Sequence, residues 1–142
     1  MTSKLVLSEE LLKLIQARLE QTLNGIEDTL NRLLEKKEVT PQELEENLKS
    51  LEKSFSILFQ KWSLELLYTL FLNNSTGFSE LKRVLNVNSR TLSDKLKLLQ
   101  KHNYISRKVN SGPPLRVEYE LTPKGKNIVL LALPLLYYSS TG

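Results

Sequence analysis

A mainly α fold carrying one small β-hairpin is what this sequence predicts, and three observations lead to it. From residue 12 to residue 99 apolar residues recur every three or four positions, the spacing of helix faces. Over residues 104–121 the period changes to two, as in strands, around a turn-rich loop. A Thr122-Pro123 pair then opens a further helical segment, because proline suits the first helical position.

Taken in order, residues 9–37 read as one long helix, or as two joined near Asn24-Gly25. Leu12, Ile15, Leu19, Leu23, Ile26, Leu30 and Leu33 are spaced by 3, 4, 4, 3, 4 and 3. Their mean spacing of 3.5 is the repeat of a coiled-coil seam. Ser8 is the expected N-cap, with Glu9 and Glu10 in the first turn where the helix dipole favours anions. Gly25 weakens the helix locally by about 1 kcal/mol relative to alanine. Thr40, Pro41, Gln42 and Glu43 form a capping box with proline at the first helical position. Leu44, Leu48, Leu51, Phe55 and Leu58 continue from it at helical spacing. The pattern then broadens through Trp62, Leu64, Leu66, Leu67, Leu70 and Phe71, as in a helix buried nearly all round. One helix is expected over residues 41–72, bent near residue 60, with Trp62 in the core. Residues 73–77 end it.

A short helix follows over residues 78–85, then a turn at Asn86-Val87-Asn88, then a helix over residues 89–102 capped by Asn88 or Ser89. Helix, three-residue turn and helix make a helix-turn-helix. Residues 104–109 and 116–121 alternate as strands, with Val117, Tyr119 and Leu121 inward and Arg116, Glu118 and Glu120 outward. The last helix runs from Pro123 to about residue 138, and Pro134 should kink it or end it early. The order predicts a winged helix-turn-helix with an N-terminal helical extension. Its parts are a helical extension over residues 1–55, a winged helix over 56–125 and a C-terminal helix over 126–142.

Composition narrows the function. The 142 residues contain no cysteine and one histidine, His102, which excludes disulfides, thiolate zinc sites and thiol nucleophiles. His102 stands at a helix end, where a cation meets the last carbonyls. Glu43, Glu45 and Glu46 are a first-turn acidic cluster rather than metal ligands. Lys124-Gly125-Lys126 is not a phosphate loop, because Glu120 stands where a glycine would be needed. No nucleophile–base pair is spaced for catalysis, so neither enzyme activity nor a cofactor is expected. The longest apolar run, residues 128–138, is shorter than the roughly 20 residues a membrane helix needs. No apolar secretory segment opens the chain, so a cytoplasmic protein is expected. The net charge of +4 divides into −3 over residues 1–54 and +7 over residues 55–142. The basic part suits a polyanion.

Residues 61–125 resemble the HxlR-type transcription regulators, within the wider MarR-like winged-helix group. The resemblance lies in Lys61-Trp62, in Phe78-Ser-Glu-Leu81 and in Val87-Asn-Ser-Arg-Thr-Leu-Ser93 with Leu96. It continues in Tyr104-Ile105 with Arg107, and in Pro113-Pro114 followed by Val117-Glu-Tyr119-Glu-Leu-Thr122 and Gly125. The resemblance implies a DNA-binding module and a dimer built partly on the last helix. Two departures stand out. Such proteins often carry an N-terminal sensing cysteine, which this chain lacks, and they usually begin shortly before the tryptophan helix.

With Leu92, Leu96 and Leu99 as the buried stripe of the second helix, its opposite face carries Arg90, Asp94, Lys97 and Lys101. In a helix-turn-helix the N-terminal half of this helix enters the major groove. Arg90 can fork onto guanine O6 and N7. Ser89, Thr91 and Ser93 can reach bases or phosphates. Asp94, four residues from Arg90, can hold it by an intrahelical pair, the simpler expectation, or accept from a cytosine amino group. Lys97 and Lys101 suit phosphates. Arg107, Lys108 and Arg116 flank the wing tip, where a strand pair can reach an adjacent minor groove or its phosphates. The expected function is sequence-specific binding of double-stranded DNA by a homodimeric regulator on a palindromic operator. The rival is a winged helix used as a protein-interaction module.

Overall fold

The computed structural model describes residues 9–140. Two compact units are present, one formed by the chain up to Glu52 with the end from Tyr137, the other by Lys53–Leu136.

In the first unit, α1 (Glu9–Glu35) is continuous, so Gly25 does not divide it. The expected Ser8 cap lies outside the described residues. Lys37, at φ 58°, closes the helix: its N–H donates to the Leu34 carbonyl while that of Glu38 donates to Leu33. This paired return satisfies carbonyls the helix end leaves free. The helix α2 (Pro41–Leu58) starts where the capping box predicts, the Thr40 hydroxyl accepting from the Glu43 N–H at 3.1 Å.

The expected single helix over residues 41–72 is in fact two. Residues 59–62 interrupt it, and α3 (Ser63–Asn73) begins afresh. Trp62 takes a left-handed conformation, φ 77°, and the Ser63 N–H donates to the Gln60 carbonyl. Trp62 is therefore not the core residue expected of it: it is partly exposed, with the Lys61 ammonium 5.2 Å from its ring centroid. Beyond this turn α3 buries Leu66, Leu67 and Leu70.

A two-residue strand, β1 (Thr76–Gly77), precedes α4 (Phe78–Leu85) and α5 (Ser89–Lys101). The hairpin of β2 (Ile105–Asn110) and β3 (Arg116–Leu121) follows, then α6 (Pro123–Ser140). The sheet is antiparallel in the order β1-β3-β2, with Thr76 opposite Tyr119 and Ile105 opposite Leu121. Two residues of β1 were too few to show a period in the sequence. The helix α6 passes through Pro134 without ending. Proline's fixed φ is itself helical, and its missing N–H removes one ladder bond without forbidding the next turn.

The core gathers Ile57, Leu66, Leu70, Leu81, Leu92, Leu96, Leu99, Tyr104, Tyr119 and Val129 from every helix of the second unit and from the sheet. Gly125 sets how closely α6 approaches. A Cβ there would collide with the Tyr104 carbonyl and lie 3.3 Å from Leu121 Cδ2. The same carbonyl accepts from the Thr122 N–H at 3.1 Å. Glycine is thus required by backbone contact rather than by its dihedral freedom.

Candidate nucleic-acid interface

The stripe Leu92, Leu96 and Leu99 makes α5 a fixed platform, because all three are buried in the core. Both of its ends are closed. Asn88 Oδ1 accepts from the Thr91 N–H at 2.7 Å, satisfying a donor of the first turn. At the other end His102 is the C-cap, its N–H donating to Leu98. Asn103, at φ 63°, donates back to Gln100, and the Tyr104 N–H to Leu99. The turn before α5 uses the same device, with Asn86 at φ 55°.

A rigid α5 presents Ser89, Arg90, Asp94, Lys97 and Lys101 to solvent. Thr91 and Ser93 lie beside them, partly buried. The expected Arg90–Asp94 pair is not formed: the ion pairs among the described residues are Lys49–Glu45 and Arg83–Glu80. Two exposed side chains gain little from pairing in water and lose rotamer freedom by it. Arg90 is thereby left available to a partner.

Lys95 turns the other way. Its ammonium donates to Gln60 Oε1 at 2.5 Å, tying α5 to the turn before α3. Partial burial pushes its pKa below the usual lysine value. The sequence reading did not single out Lys95, because its partner lies in the unforeseen turn at residues 59–62.

The hairpin separates the three wing cations. Lys108 stands opposite Glu118 and Asn110 opposite Arg116, so Lys108 and Arg116 share one face. Arg107 stands opposite Tyr119 and belongs to the other face. All three are exposed. Asn110 Nδ2 donates to Glu118 Oε1 at 2.6 Å and braces the hairpin beneath its tip. This brace was not legible beforehand, since it depends on the register.

A helix-turn-helix with an exposed basic face and a braced wing is therefore present in residues 63–121. The family model of the HxlR-like helix-turn-helix proteins matches residues 57–138. The chain belongs to that family. It is similar to the HTH-type transcriptional regulator YvaP of Bacillus subtilis, itself uncharacterized. The two are 41% identical over 76 residues, 53% of this chain and 69% of YvaP. YdzF of the same organism, also an uncharacterized HTH-type regulator, is 35% identical over 78 residues, 54% of this chain and 72% of YdzF.

Among solved structures, a protein described as a transcriptional regulator of the MarR family from Enterococcus faecalis V583 is 30% identical. It superposes with a TM-score of 0.61 over 66% of this chain and 86% of its own. Diamide-treated YodB from B. subtilis shares the fold at 22% identity, with a TM-score of 0.59 over 65% of this chain and 91% of its own. This HxlR-like chain is thus a winged helix-turn-helix protein of the transcriptional-regulator class. No described helix is long and apolar enough to cross a membrane.

Proposed function

We propose that this HxlR-like regulator binds double-stranded DNA sequence-specifically, as a cytoplasmic homodimer on a palindromic operator, without catalysing a reaction. One observation carries the reading: α5 is held by Leu92, Leu96 and Leu99 so that Arg90, Asp94, Lys97 and Lys101 face solvent on a rigid support. In this reading the N-terminal half of α5 enters the major groove. Arg90 reads a guanine edge, Ser89, Thr91, Ser93 and Asp94 adjoin the bases, and Lys97 lies on a phosphate. Arg107, Lys108 and Arg116 bring the wing to the neighbouring backbone.

The homodimer is supported by apolar surface on the flanking helices. Leu23 and Ile26 of α1 and Leu48 and Leu51 of α2 are exposed. Beside α6 an apolar groove of about 130 Å³ is lined by Phe55, Leu58, Phe59, Leu64, Ile128 and Leu131. In this reading residues 1–55 and 126–142 join two copies, and residues 56–125 read one half-site each.

Selection of bound duplexes from random DNA tests the proposal. It should return an inverted repeat with half-sites about one helical turn apart, or a multiple of that. Affinity for the selected duplex should fall steeply with salt, and replacing Arg107, Lys108 and Arg116 together by alanine should make that slope shallower. Salt-insensitive binding, or none, would favour a protein-interaction module. An unchanged slope in the triple variant would remove the wing from the interface.

A further inference from the structure

The loop between β2 and β3 places Pro113, Pro114 and Leu115 in succession, and all three are exposed. Leu115 is 75% exposed, the highest value among the large apolar side chains described. Val109 of the adjoining strand is half exposed as well. A single exposed leucine is ordinary on a protein surface. Three consecutive apolar residues at the projecting end of a hairpin lose hydration free energy unless something covers them.

The charge around the tip indicates what covers it. Lys108 and Arg116 flank it on one face of the hairpin and Arg107 lies on the other, while Glu118 is the carboxylate between Lys108 and Arg116. None of these cations takes part in an ion pair among the described residues, and Glu118 is held by Asn110. An apolar point flanked by cations without ion-pair partners complements a surface that is anionic outside and apolar within. The minor groove of duplex DNA is such a surface, with phosphates along its walls and stacked bases at its floor. The tip is also stiff. Two prolines fix their φ angles, and the Asn110–Glu118 hydrogen bond of 2.6 Å closes the hairpin directly below.

We infer that the 113–115 tip is a DNA wedge: Leu115 enters the minor groove next to the site read by α5 and partly unstacks one base step. Lys108 and Arg116 take the phosphates on either side. This rests on the DNA-binding reading above and adds to it a source of specificity that needs no hydrogen bond to a base. Pyrimidine–purine steps unstack at the least cost, so the wedge makes the protein prefer TA or CA/TG at a position flanking each half-site. It also bends the duplex away from the wing.

The test uses the full chain and the duplex recovered by selection. The fluorescent base 2-aminopurine replaces one adenine at a time through the outer steps of each half-site. Unstacking at the wedge should brighten one step per half-site about twofold or more, and the neighbouring steps should stay dark. Leu115→Ala should abolish the brightening and weaken binding about three- to tenfold, while Leu115→Met retains both. Because Leu115 is exposed, neither variant should change the melting temperature. Replacing the flanking pyrimidine–purine step by an A-tract should weaken the wild-type protein and leave Leu115→Ala indifferent. Binding of the duplex with no brightened step would overturn the wedge and leave the DNA reading intact. Absence of binding to any duplex would overturn both. Leu115-dependent binding to anionic phospholipid vesicles, without a brightened step, would assign the tip to a membrane surface instead.

Discussion

The two ends of α2 belong to different kinds of protein surface. Among the described residues every buried side chain lies at Ile57 or later, in the winged helix. Before Ile57 the apolar stripes of α1 and α2 are partly or fully exposed, with Leu48 at 67% and Leu51 at 55%. The same leucine-rich composition thus serves two ends. In the winged helix, leucines from α3, α4 and α5 pack into one buried core. In the extension, leucines repeat along one face with no buried layer of their own. Helices of that kind gain most of their stability from a partner face rather than from propensity. The contrast teaches that a helical pattern in the sequence reports which face is apolar, and leaves open which surface will cover it.

The largest expected effect comes from removing the extension. If the proposed homodimer forms, deleting residues 1–38 should turn it into monomer or aggregate, read by sedimentation at micromolar concentration. If the shortened chain stays dimeric with unchanged affinity between subunits, the α1 stripe packs within its own chain. Two single substitutions sharpen the same contrast. Leu66→Ala, in a fully buried position, should lower stability by about 2–5 kcal/mol at any protein concentration. Leu51→Ala should lower the melting temperature in a concentration-dependent way, because its cost is felt only on association. Equal concentration dependence for both would show that folding and association form one event.

What the sequence made legible follows this division. The caps at Thr40 and Asn88, the helix-turn-helix, the hairpin and the exposed face of α5 were all readable, because each depends on residues a few positions apart. The break before α3 was not. Residues 59–62 contain neither glycine nor proline, yet Trp62 adopts φ 77°, a conformation that an L residue seldom takes. β1 was too short for periodicity, and its pairing with β3 joins residues far apart in the chain. The wing cations read as one group, yet the register sends Arg107 to one face and Lys108 and Arg116 to the other. The proposed pairing of Arg90 with Asp94 also failed, since spacing permits a surface ion pair without making it favourable. The seam of α1 was legible as a seam, while its partner was not.

A smaller effect is expected within the winged helix itself. Arg90→Ala should weaken binding to the selected duplex by about 1–3 kcal/mol and relax preference at one base pair. Arg90 is exposed, so the melting temperature should not move. The comparison to make is with Lys97→Ala, which should weaken specific and nonspecific DNA alike. If Arg90→Ala also weakens both equally, Arg90 is a phosphate contact and the base reading passes to other residues of α5.

The smallest expected effect is none, and it separates this chain from proteins that share its fold. YodB, which shares the fold, has been solved after diamide treatment. Diamide acts by oxidising thiols, and a chain without cysteine offers it no sulfur to oxidise. The sulfur chemistry left is that of one methionine, Met1. Its oxidation to the sulfoxide would need stronger oxidants and would not be reversed by a thiol reductant. Titrating the selected duplex before and after treatment with diamide or mild peroxide should therefore give superimposable curves. Dissociation of the proposed dimer, read in parallel by sedimentation, should be equally unaffected, because this chain offers no thiol to bridge two copies. A loss of affinity that a thiol reductant restores would contradict this argument at its root.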